Sequence, residues 1–176
     1  MENERIFLRD SSFDDCGKFA EWETNPFVST FFTIDDDRDY EEITREFIER
    51  SRDETKRQFT VCLKDTGEAI GRIYISNIDS HYDSLDITRI YIAKREYRGK
   101  GYGEEALRKI VKWAFEEMNA ERVTLDHFTD NIKASSLYDK VGFVREGIMR
   151  HGGKKNGEYI DMCLRSMLRQ EYFSNK

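Results

Sequence analysis

The chain of 176 residues carries a single proline, Pro26, and nowhere a run of about 18 apolar residues. The missing run excludes a membrane-spanning helix. No Pro/Gly/Ser-rich linker, low-complexity tract or internal repeat divides the sequence, so one compact domain over residues 1–176 is expected. The three cysteines, Cys16, Cys62 and Cys163, are widely separated and lack CxxC spacing, which points to plain buried thiols rather than zinc ligands or disulfides. His81, His127 and His151 lie in different segments without HExxH or HxH spacing, so metal catalysis is not expected. The N-terminus is charged from residue 2 and has no apolar signal-peptide core, which makes a reducing cytoplasm the default compartment. A basic field is also missing: the net charge of -6 argues against a nucleic-acid partner, whose phosphates would need neutralising.

What is present describes a folded domain. Charged residues make up 36% and aromatics 13%, so the surface is strongly polar yet the chain is not disorder-like. A short strand, Ile6 to Arg9, precedes a short helix from Asp14 to Glu23. A second helix runs from Asp37 to Arg52, with Tyr40, Ile43 and Phe47 at helical spacing. Gln58 to Lys64, Ala69 to Asn77 and Ser84 to Ala93 read as a meander of strands. From Glu104 to Met118 the apolar positions Leu107, Ile110, Val111, Ala114 and Phe115 trace one helix face. A strand, Arg122 to Phe128, and a helix, Asn131 to Lys140, follow. Phe143 to Arg150 and Glu158 to Leu168 then pair across a Gly-rich turn, Gly152 to Gly157. That order predicts an α/β fold, a mixed sheet layered with helices.

The most informative stretch is Arg98-Gly99-Lys100-Gly101-Tyr102-Gly103, between a strand and the long helix. Helix starts offer unpaired N–H groups and a positive dipole end, and glycines let an anion approach them. Arg98 and Lys100 add charge, so pyrophosphate is the natural guest; a plain connecting turn is the other reading. The P-loop pattern fails, since Tyr102 follows Gly101. The dinucleotide fingerprint fails too, since Glu104 stands where its last glycine belongs.

Arg98, Gly101 and Gly103 fit the pattern [Q/R]-x-x-G-x-[G/A], which resembles motif A of the GNAT superfamily of N-acetyltransferases. Residues 131–143, NIKASSLYDKVGF, are similar to that family's N-x-x-A-x-x-L-Y-x-K-x-G-F segment. The closing stretch from Gly157 to Asp161 resembles the ribosomal-protein-alanine N-acetyltransferase branch. The likeness spans essentially the whole chain. One departure is that Lys94-Arg95-Glu96-Tyr97 replaces the proline-containing P-E-Y-R-G entry of many relatives, with one additional residue.

The resemblance implies a mostly antiparallel sheet with a splayed strand pair, helices on both faces, and direct acetyl transfer from acetyl-CoA to an amine. It implies cofactor contacts at Ile90, Tyr91 and Ile92, along the loop Arg98, Gly99, Lys100, Gly101, Tyr102 and Gly103, and at Asn131 and Lys140. Tyr138 is the implied acid for the departing thiolate; a packed aromatic is its alternative. Asn131 is equally a helix N-cap. For the base, Asp86 is the best reading of the residues, placed by alternation on one face with Thr88, Ile90 and Ile92, although a solvated strand carboxylate reads the same. The acidic run Asp35 to Glu42 either attracts a cationic amine or caps the second helix. A non-catalytic acyl-CoA sensor is the alternative function. The acceptor stays open, as does the oligomeric state, a homodimer included.

Overall fold

The computed structural model describes residues 4–174. One seven-stranded sheet has the order β1-β2-β3-β4-β5-β7-β6. Its strands are β1 (Ile6–Asp10), β2 (Arg57–Leu63), β3 (Ala69–Asp79), β4 (Ser84–Ile92), β5 (Arg122–Phe128), β6 (Val144–Lys155) and β7 (Glu158–Leu168). Every neighbouring pair is antiparallel except β4–β5.

Alternation along the strands supplies two cores, one for each face. Phe59, Val61 and Leu63 of β2 face the larger core, with Leu107, Ile110 and Val111 of α4 (Tyr102–Lys112). Cys62 between them faces the other core, with Phe19 and Trp22 of α1 (Cys16–Glu23) and Ile43 and Phe47 of α3 (Tyr40–Ser51). Helices therefore cover both faces. Each core side chain of Leu, Ile or Phe size contributes about 1.5–3 kcal/mol by leaving water.

The alternation expected for β4 breaks at Thr88. Tyr74 pairs with Arg89 but Ile75 with Ile87, so Thr88 is the extra residue of a bulge. Leu85 and Ile87 face the larger core before it, and Ile90 and Ile92 face it after. Asp86 thus shares its face with Arg89 and Tyr91, not with Ile90 and Ile92.

Two further local differences have plain causes. The hairpin turn expected at Gly152 to Gly157 shrinks to Asn156 (φ 49°) and Gly157 (φ 82°), the two left-handed residues of a tight hairpin. Gly152 and Gly153 lie within β6, where side chains have no room. A Cβ on Gly153 would stand 2.6 Å from the Thr33 methyl. The short helix α2 (Pro26–Ser29), absent from the sequence reading, is set by its N-cap, where Asn25 Oδ1 accepts from Phe27 N–H at 3.0 Å. The chain continues as α5 (Ile132–Val141) before β6, and α6 (Arg169–Ser174) follows β7.

Candidate active site

The site begins where the parallel pair stops. β4 and β5 pair only at Ser84–Arg122, Leu85–Val123 and Asp86–Thr124. Beyond that register β4 runs on to Ile92 and β5 to Phe128, so the strands diverge into a fork. A cavity of about 690 Å³ fills it, within the range of small-molecule sites. Its walls bring together Ile90, Tyr91, Ile92, Arg98, Gly99, Gly103, Asn131 and Tyr138.

At one end lies the glycine loop. Gly99 and Gly101 take φ of 72° and 85°, which other residues avoid. The first helical bond of α4 runs from Glu105 N–H to Gly101 O at 3.0 Å. The N–H groups before it therefore have no acceptor within the helix. Two carboxylates in this first turn would repel an anion, but both are held by cations. Glu104 pairs with Arg108 at 3.1 Å and Lys140 at 2.5 Å, and Glu105 with Arg5 at 3.1 Å. Arg5, which the sequence reading missed, also donates to Lys100 O at 2.8 Å and lies over the Tyr102 ring. Arg98 does not point freely outward: its Nε donates to Ile92 O at 2.8 Å and Nη1 to Phe27 O at 3.0 Å, fixing the loop to β4 and α2.

Tyr138 lines the cavity, 8% exposed, against His127 and Phe143 with ring centroids 5.5 Å and 6.1 Å away. Burial chiefly, and the Asp126 carboxylate next, push its phenol pKa well above the usual 10. The phenol keeps its proton across the physiological range. Asp126 of β5 also opens into the cavity, and the surrounding protein together with the Asp86 charge pushes its pKa up to about 6. Asp86 lies at the base of the fork, outside the cavity lining. Its carboxylate accepts from Thr124 at 2.7 Å and from Thr88 at 2.8 Å, while burial raises its pKa.

Residues 5–144 match the acetyltransferase (GNAT) domain family. The chain belongs to it. As a GNAT N-acetyltransferase it uses acetyl-CoA as donor and an amine as acceptor. It is 27% identical to the uncharacterized N-acetyltransferase p20 of Bacillus licheniformis, over 98% of this chain and 97% of that one. It is 32% identical to YdaF of Bacillus subtilis (strain 168), provisionally named a ribosomal N-acetyltransferase, over 62% and 59% of the two chains. Among solved structures, spermidine N-acetyltransferase from Vibrio cholerae in complex with CoA and spermine superposes with a TM-score of 0.87 at 23% identity, covering 97% and 99%.

Within this GNAT domain the sequence-derived site residues divide into two groups. Lys100, Gly101 and Tyr102 stand outside the cavity lining, in the loop behind it. Lys140 also lies outside, exposed on α5 and tied to Glu104. Lys133, two residues after Asn131, lines the cavity instead. Asn131 is an N-cap, its Oδ1 accepting from Ala134 N–H at 3.2 Å, and still lines the cavity, so both readings hold. The missing proline leaves a 3-10 turn, Arg95–Tyr97, secured by the Tyr97 hydroxyl on Glu68 at 2.8 Å. Of the acidic run, Asp35 and Asp36 hold the hairpin tip. Asp35 accepts from Asn156 N–H at 2.6 Å and Asp36 from Lys155 Nζ at 2.8 Å. Asp126 and Lys133 were not singled out, because only the fork turns their positions into cavity wall. Among the described residues no cluster of three or more His, Cys, Asp and Glu side chains is placed to hold a metal. No helix there is long and apolar enough to cross a membrane.

Proposed function

We propose that this single domain performs acetyl transfer inside the β4–β5 fork, by direct attack of a primary amine on acetyl-CoA. The loop Arg98–Gly103 and the start of α4 hold the pyrophosphate. The free edge of β4 at Ile90, Tyr91 and Ile92 holds the pantetheine arm and the thioester oxygen; one such donor is typically worth about 3–4 kcal/mol. Asp126 accepts the ammonium proton and frees the nitrogen lone pair. The C–N bond then forms as the C–S bond breaks, Tyr138 donates a hydrogen bond to the leaving sulfur, and the nitrogen's second proton passes to that sulfur. With its pKa raised, full proton transfer is harder than in water, so Tyr138 acts as a hydrogen-bond donor to developing thiolate charge. Asp86 sits behind Asp126 and raises its basicity.

The observation that supports this reading is one cavity shared by the glycine loop, Tyr138 and Asp126. A non-catalytic acyl-CoA sensor needs the loop but neither of the other two, and nothing observed favours it. Thiol release from acetyl-CoA with a panel of primary amines tests the reading. Tyr138→Phe should lower kcat by about 10²–10⁴-fold with acetyl-CoA affinity unchanged; turnover within a factor of about two of wild type would remove Tyr138 from this role. The buried free thiols Cys16, Cys62 and Cys163 suit a reducing cytoplasm. The exposed Val144 and Ile148 on the outer edge of β6 support a homodimer through that edge, which sedimentation velocity checks.

A further inference from the structure

The two ends of the cavity differ in chemistry. The end remote from the glycine loop, where Phe31 meets Phe128 and Thr33 approaches Gly153, is lined by Phe31, Phe32 and Thr33 after α2 and by Asp126 and Met162 from the sheet. Phe31 is 42% exposed even though it packs edge-on against Phe128 at 6.0 Å. Phe32 leans on Tyr91 at 5.4 Å. This wall is fixed before any substrate arrives. Lys155 Nζ ties the same segment down, donating to Ser29 O at 2.9 Å and Ile34 O at 3.0 Å.

Charge at this end is sparse and specific. Asp126 is the one acidic residue among those lining the cavity. Arg89, which also lines it, shares the single buried carboxylate of Glu23 with Arg72, at 3.0 Å and 2.7 Å, and Lys133 adds a further cation. Asp35 and Asp36 are already engaged by the hairpin tip and line a separate surface hollow. An extended polycation needs several carboxylates along its length, and this wall provides one. A single ammonium on an apolar body meets one carboxylate and two phenylalanines.

We infer that the acceptor is a primary monoamine carried on an aromatic or similarly bulky apolar group, bound with its ammonium at Asp126 and its body against Phe31 and Phe32, and not a polyamine. This deepens the transferase reading and rests on it. The reaction balances as before: the ammonium gives one proton to Asp126, the free amine gains the acetyl carbon, and the second nitrogen proton passes to the sulfur, so that coenzyme A departs as thiol. The same chemistry could be presented by a free arylalkylamine or by a peptide whose first residue is aromatic.

The test compares kcat/KM for phenethylamine, a short peptide with N-terminal phenylalanine, and spermidine, by thiol release at saturating acetyl-CoA. Either of the first two should exceed spermidine by at least about tenfold, and whichever is turned over identifies the source of the amine. Phe31→Ala should raise KM for the preferred aromatic amine about tenfold and leave kcat and acetyl-CoA affinity near wild type. Preference for spermidine, or acetyl-CoA binding with transfer to none of the three, overturns the acceptor assignment alone. Failure to bind acetyl-CoA by calorimetry removes the transferase reading beneath it, and this assignment with it.

Discussion

Arg165 of β7 donates its Nε–H to Nε2 of His127 at 3.1 Å, which locks the histidine into one neutral tautomer. The other ring nitrogen, Nδ1, then carries the proton and donates to Phe128 O at 2.8 Å. Burial lowers the His127 pKa in the same direction. With both nitrogens engaged, His127 serves as a platform for the Tyr138 ring and not as a proton carrier. Arg165 reaches further, to Asp139 at 2.5 Å and Ser135 at 2.8 Å, on either side of Tyr138 along α5.

Arg165 is therefore a positioning residue for Tyr138. Arg165→Met should destabilise the fold by about 1–3 kcal/mol, since His127 and Phe143 O lose a buried donor. It should also lower kcat at least about tenfold at unchanged KM for acetyl-CoA. A variant that melts lower but keeps full kcat would assign Arg165 to stability alone.

Asp126 predicts a pH limb. With a pKa of about 6, it is protonated and unable to accept a proton below that pH. The kcat/KM profile should rise through about pH 6 and level off above it, up to the range set by the amine itself. Asp86→Asn removes the neighbouring charge and should move this limb to lower pH. Asp126→Asn should abolish the limb and lower kcat/KM by about 10²-fold. An unmoved limb in Asp126→Asn would assign it to another group.

Glu23 predicts acid sensitivity of the fold itself. Its side chain is fully buried and accepts from Arg72 at 2.7 Å, Arg89 at 3.0 Å and the Tyr91 hydroxyl at 2.9 Å. Burial opposes ionisation, but the charges of Arg89 and Arg72 win and hold its pKa at about 2, below its ordinary value of 4.5. A depressed acid stabilises the fold fully above its unfolded pKa. That contribution is lost as pH falls from about 4.5 through about 2. Glu23→Gln leaves the two guanidinium groups uncompensated and should cost about 3–5 kcal/mol. Urea unfolding at pH 7 and pH 3 should show the gap between wild type and variant narrowing in acid.

Gly71 predicts a packing limit on the strand that forms the fork. A Cβ there would lie 2.2 Å from the Tyr91 carbonyl oxygen, a backbone atom that can move only with β4. Gly71→Ala should destabilise by about 1–3 kcal/mol and weaken acetyl-CoA binding by displacing Tyr91 and Ile92. Wild-type affinity and melting temperature together would show that β4 has slack.

The glycine loop and Tyr138, which share the cavity wall, could be singled out from sequence because their signals are local: a spacing, a helix start, a segment. Asp126 and Arg165 were not. Asp126 looks like any polar alternate in Arg122 to Phe128, since divergence of two strands leaves no mark on either sequence. Arg165 did leave a signal, one guanidinium within the apolar run from Met162 to Leu168, where a charge must find buried partners. The bulge at Thr88 was invisible for a similar reason. Pairing with β3 creates it, and it reverses the faces of the residues on its two sides.

The short register between β4 and β5 leaves the sheet with an interior seam. An amide edge without a strand beside it exchanges its hydrogens readily, and an extended chain laid into the seam can take the place of the absent neighbour. Donor binding would then knit the two halves of the sheet together. Amide exchange at Ile90 to Ile92 and at Asp126 to Phe128 should slow in concert when acetyl-CoA is added, although those segments lie on opposite sides of the seam.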